Sequence, residues 1–147
     1  MAEQSHRSGF TLFELVFTIG LISVLLGVAV VNLRGLNGAA DSGAAEVVGF
    51  LKQVRARAMA STSAYKVAPS SSGQLVVTYG NVCSAATTTD GALILKLPTG
   101  ATFNSTSWNV CFNSRGFPDQ SPSIALQDTN GVNKTVQIYL GGAIRSL

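Results

Sequence analysis

Residues 15–33, LVFTIGLISVLLGVAVVNL, carry no charge, and this run constrains the chain more than any other feature. A helix over Leu15–Val31, extended backwards by the apolar turn Phe10–Phe13, gains about 1.5 Å per residue. It therefore reaches across the ~30 Å hydrocarbon core of a bilayer. One charge stands at its mouth: Glu14 is the only charged residue between Arg7 and Arg34. A carboxylate inside a membrane is costly, less so near the interface, and usually has a partner.

Three readings compete for such a segment. A cleaved secretory signal with Arg7 in its basic region needs small residues just past the apolar run. Here Asn32, Leu33 and Arg34 intervene before Gly38-Ala39-Ala40, and Glu14 interrupts the apolar region. A plain membrane anchor gains nothing from Glu14. An anchor processed at its cytoplasmic end is the third reading, and Glu14 fits it best. Arg7 and His6 would then stay cytoplasmic, in line with the positive-inside tendency, although Glu3 and Arg34 blunt that signal. Everything beyond about Asn32 would be exported. Gly20, Ser23 and Gly27 recur at helical spacing, as a close-packing stripe or as the ordinary glycine content of membrane helices.

Only 12% of the 147 residues are charged, about half the fraction usual in a soluble domain, and the apolar run explains part of that shortage. The net charge of +3 is compatible with nucleic acid or acidic surfaces without arguing for them. Cys83 and Cys111 lie in the polar part of the chain. In an extracytoplasmic compartment they should pair, and two buried thiols are the alternative.

After the weak helix material NLRGLNGAADSGAA at 32–45, AEVVGFLKQVRARAMA is amphipathic. Val47, Leu51, Val54 and Ala58 fall on one face, with Lys52 and Arg55 on another. One long helix, bent or loosened near the glycines, is expected to join membrane and head. Beyond Ser63 short apolar runs alternate with turn residues. Strands are expected at AYKVA, QLVVTYG, ALILKL, WNVCFN, SIALQ and TVQIYL, with turns at 69–73, 87–91 and 128–133. The expected class is α+β, a long N-terminal helix packed on an antiparallel sheet.

GFTLFELVFTIGLISVLL resembles the class III signal of type IV pilins and type II secretion pseudopilins. The resemblance implies a leader at 1–9, MAEQSHRSG, removed after Gly9, and methylation of the new N-terminus, Phe10. It implies a transmembrane half of the helix at 10–33, a periplasmic half at 34–62 and a β-rich extracytoplasmic head at 63–147. Glu14 falls at the fifth mature position, where the family has its glutamate. There it would meet the Phe10 amine of a neighbouring subunit during assembly, each charge being cheaper as half of a pair. A glutamate snorkelling to the cytoplasmic interface would need no such partner. The implied partners are a prepilin peptidase/methyltransferase, the inner membrane, and other major and minor pilins or pseudopilins. Many major pilins carry proline where this chain has Val31, which favours a minor subunit.

FLKQVRARAMASTSAYKV, VCFNSRGFPDQSPSIAL and KTVQIYLGGAIRSL are together similar to the GspH/FimT class of minor pilins. Some members of the FimT branch bind DNA through a GRxR-like C-terminal segment. The matching stretch here, Gly142 to Arg145, keeps Arg145 but has Ala143 in place of the first cation. Losing one cation weakens a charge-driven contact to phosphate. Lys134 and Arg115 could supplement Arg145 if the fold gathers them, and scattered surface charges are the alternative. Trp108 and Tyr139 could stack on bases or fill their strands' core.

No catalytic or cofactor site is expected. The only histidine, His6, lies in the implied leader, which removes His-based triads and metal clusters from the mature chain. Asp90, Asp119 and Asp128 occupy turn contexts, where aspartate serves the backbone.

Overall fold

The computed structural model describes residues 12–36 and 38–147, with side chains over 12–24 and 38–147. The chain divides into two compact units, one ending at Leu36 and the other running from Asn37 to Leu147. The first contains helix α1, Leu12–Leu36, whose 25 residues rise about 37 Å. Its described apolar side chains, from Leu12 through Phe17 to Val24, are all exposed within this chain and lie on every side of the helix. A helix apolar all round calls for an apolar environment from outside. Its hydroxyls suit such an environment: Thr18 Oγ1 donates to Leu15 O at 2.9 Å and Ser23 Oγ to Ile19 O at 2.8 Å. Among the described residues no helix is long and apolar enough to cross a membrane. The segment expected to do so, 10–33, lies only partly among them, because described side chains stop at Val24.

The second unit begins with α2, Ala39–Ser61, whose N-cap is Gly38. The expected single long helix is thus two helices, with α1 ending at Leu36 and α2 starting at Ala39, among the glycines that weaken helix propensity. The face expected to be buried is buried: Val47, Leu51, Val54 and Ala58 are inaccessible, joined by Ala40, Gly43, Ala44 and Phe50. Thr62 ends the helix in a left-handed conformation.

Eight strands follow: β1 (Ala64–Ser71), β2 (Gln74–Gly80), β3 (Thr88–Lys96), β4 (Ala101–Phe103), β5 (Val110–Phe112), β6 (Ser123–Asp128), β7 (Asn133–Ile138) and β8 (Ile144–Ser146). They form two four-stranded antiparallel sheets, ordered β3-β2-β1-β5 and β4-β6-β7-β8, where one sheet was expected. α2 lies against strands of both and closes one core, which includes Leu51, Val54, Leu75, Phe112, Ile124, Leu126 and Ile138. The stretch 87–91, expected as a turn, mostly enters β3. Val76 pairs with Ile94 and Thr78 with Thr89, so residues 90–93 bulge out opposite Val77. A cavity of about 370 Å³ lies between that bulge and α2, lined by Ala56, Arg57, Asp90 and Leu93 among others.

Candidate functional site at the C-terminal end of the head helix

Residues that looked unrelated in sequence meet at the far end of α2. Arg55 follows the buried Val54 and is itself half-buried. Its Nε donates to Gly116 O at 2.9 Å and its Nη1 to Gly142 O at 2.6 Å. Gly116 lies in the turn after β5, an edge of the first sheet, and Gly142 in the turn before β8, an edge of the second. One guanidinium therefore ties the two sheets together through their connecting turns. The planar fork of arginine, with several fixed donors, suits two carbonyls approaching from different elements.

Both turns are internally braced. Asn113 Oδ1 accepts from Arg115 N at 2.9 Å and from Phe117 N at 3.1 Å, while Gly116 N donates to Asn113 O. In the other turn Gly142 N donates to Tyr139 O at 2.7 Å and Tyr139 N to Ala143 O at 2.9 Å. Gly116 (φ +78°) and Gly142 (φ +84°) adopt left-handed conformations that favour glycine. Space is short as well: a Cβ at Gly116 would lie 2.7 Å from Met59 Sδ, and one at Gly142 2.7 Å from Arg55 Cζ.

Sequence reading placed Arg55 with Lys52 on a polar helix face and missed this clamp. The signal was present in the three stretches of the GspH/FimT resemblance, RARAMA, SRGFP and GGAIR, whose Arg55, Gly116 and Gly142 converge here.

Of the candidate cations, Lys134 does not join Arg145. Lys134 Nζ pairs with Asp41 Oδ1 at 2.8 Å, against the first turn of α2. Along β7 it shares a face with the buried Val136 and Ile138, by strand alternation. Arg145 pairs in register with Gln137, on the opposite face, and is exposed. It lines a cavity of about 330 Å³ with Tyr139 and Ala143. Arg115 is exposed in the 113–117 turn. Tyr139 lies in the turn after β7 and is exposed, whereas Trp108 packs edge-on against Phe103, centroids 5.8 Å apart, beside the core.

Cys83 and Cys111 form a disulfide, with Cα atoms 5.8 Å apart, tying the short 3₁₀ turn Cys83–Ala85 to β5. The aspartates serve backbone amides. Asp119 Oδ1 accepts from Cys111 N, Asp90 Oδ1 from Ala92 N, and Asp128 Oδ1 from Asn130 N and Val132 N. Among the described residues no cluster of His, Cys, Asp or Glu could hold a metal ion. Glu14 lies in the first turn of α1, where a carboxylate complements the helix dipole. Gly9 and Phe10 lie outside the described residues, as do the surroundings of Gly27 and the side chain of Val31.

Residues 4–30 match the prokaryotic N-terminal methylation motif. No curated protein matches the chain in sequence. In structure the chain is similar to the type IV minor pilin FimU of Pseudomonas aeruginosa, at a TM-score of 0.57 and 16% identity over 72% of this chain and 86% of that one. It is also similar to the minor pseudopilin EpsH from the type 2 secretion system of Vibrio cholerae, at 0.53 and 13% identity over 74% of this chain and 95% of that one. The chain thus carries an N-terminal methylation motif at 4–30 and a head whose fold is similar to that of type IV minor pilins and pseudopilins.

Proposed function

We propose that the chain is a minor subunit of a type IV pilus or type II secretion pseudopilus. A prepilin peptidase removes residues 1–9 and the amine of Phe10 is methylated. The segment 10–33 holds the protein in the inner membrane, with the head on the periplasmic side, until a growing filament takes it up. The observation that carries this reading is an order of parts. The methylation motif at 4–30 spans the start of a helix whose described apolar side chains face every direction, in a chain whose head has the minor pilin fold. The described helix by itself does not meet the requirements of a membrane span, so anchoring rests on the motif and on the sequence through Leu33.

Cleavage after Gly9 would place a new amine on Phe10, one helical turn from Glu14. In the filament Glu14 meets the Phe10 amine of a neighbour, which fixes the axial register of the incoming subunit. Glu14→Ala is expected to be cleaved normally and to stay in the membrane fraction, with filament incorporation reduced. Normal incorporation of the variant would refute the role given to Glu14.

A second reading, DNA capture by the head, is supported by one observation, the exposed Arg145 beside Tyr139. The engagement of Lys134 with Asp41 and the alanine at 143 weigh against it. A salt-dependent gel shift comparing the wild type with Arg145→Ala tests it. No shift at low salt would dispose of it.

A further inference from the structure

The arginine clamp holds an apolar surface open to solvent. Met59 lies beside Gly116, Phe117 follows it in the braced turn, and Tyr139 and Leu140 occupy the turn that Gly142 closes. Their exposures are 44% for Met59, 46% for Phe117, 42% for Tyr139 and 61% for Leu140. Large apolar side chains are ordinarily scattered singly on a surface, and a group of them on adjacent turns marks an interaction site. These turns are already fixed, by Asn113 in one and by Tyr139 with Ala143 in the other, so little ordering would be lost on binding.

Charge selects the partner. Arg115 precedes Gly116 in the first turn, and Arg145 lines the cavity beside Tyr139. The nearby acid, Asp119, has one carboxylate oxygen taken by Cys111 N–H. The two turns that Arg55 joins thus carry exposed apolar side chains, with one exposed cation beside Phe117 in sequence and another beside Tyr139 in space. Met59 stands twenty residues beyond the first residue of α2, about 30 Å along the helix, so the surface lies at the end of the head away from where α2 begins.

We infer that this surface docks a second protein, one presenting an apolar side chain flanked by carboxylates. The inference rests on the filament-subunit reading and gives that subunit a specific contact at the distal end of its head. Apolar anchors supply the burial, and Arg115 and Arg145 steer the approach and reject basic surfaces.

The test uses the full chain in the cells that make it. A photo-reactive benzoylphenylalanine replaces Leu140 or, separately, Phe117, with Ser72 in the β1–β2 turn as a control position. The adduct is then mapped by mass spectrometry. The expected result is a discrete protein adduct from positions 140 and 117, but not 72. The cross-linked peptide should hold an apolar residue next to Asp or Glu. Reversing both cations, Arg115→Glu with Arg145→Glu, should reduce its yield about tenfold, because like charges then face each other.

An adduct on nucleic acid or lipid, a partner peptide without carboxylates, or a yield untouched by the reversal would overturn the inference. So would the absence of an adduct in protein whose N-terminus is processed. Protein left unprocessed would instead count against the filament reading. Circular dichroism of the charge-reversed chain separates lost docking from lost folding, since both arginines are exposed and the fold is expected to survive.

Discussion

Arg55 joins two distant parts of the head, because carbonyls from the turns beside β5 and β8 both end on it. Removing it leaves both acceptors to compete for water at a partly closed site. Arg55→Ala is expected to lower head stability by about 2–3 kcal/mol, read from the urea midpoint at unchanged slope. Arg55→Lys should recover only part of that loss, since an ammonium lacks the planar fork. Gly142→Ala should cost at least about 1–2 kcal/mol for its left-handed backbone alone, plus the crowding against Arg55 Cζ. The crowding vanishes once Arg55 is shortened, so the two substitutions should be less than additive in a double-mutant cycle. Strict additivity would mean that the contact carries no energy. At this scale the sequence was legible for the core and poor for the clamp. Val47, Leu51, Val54 and Ala58 announce their burial by spacing, a local property. Arg55 meets partners 61 and 87 residues away, which no periodicity can report.

Among the elements, the disulfide, α2 and the short strands carry different kinds of information. Cys83 and Cys111 are 28 residues apart, and the bond fastens the turn at Cys83–Ala85 to β5. In the chain-entropy account, closing such a loop contributes about 3–4 kcal/mol. Replacing both cysteines by serine should lower the unfolding free energy by nearly that amount, and a loss below about 1 kcal/mol would place the turn's stability elsewhere. Six strand segments were readable from apolar runs between turn residues. β4 and β8 were not assigned as strands of their own. Each has only three residues and is defined by its pairing partner, β6 or β7, more than by its own composition. The 87–91 stretch misled for a related reason: its Thr-Asp-Gly chemistry encodes a bulge inside β3 as readily as a turn between strands. The division into two sheets was illegible too, because alternation reveals which face of a strand is buried and not which sheet the strand joins.

At the scale of the whole molecule, the chain has an apolar N-terminal helix, proposed to be processed after Gly9, and a head with a core of its own. The head fold was legible as α+β from the change of texture at Ser63, and the methylation motif from Gly9, Phe10 and Glu14 in order. What the sequence of one chain leaves out is the neighbour, since the amine that Glu14 is proposed to meet belongs to another subunit. Cleavage must come before that encounter, so the N-terminus itself is the most direct test. Intact-mass analysis of the protein made with and without a prepilin peptidase should show residues 1–9 missing and one added methyl group only when the peptidase is present. A chain that keeps Met1 in the presence of the peptidase, or that is cut anywhere but after Gly9, would contradict the account.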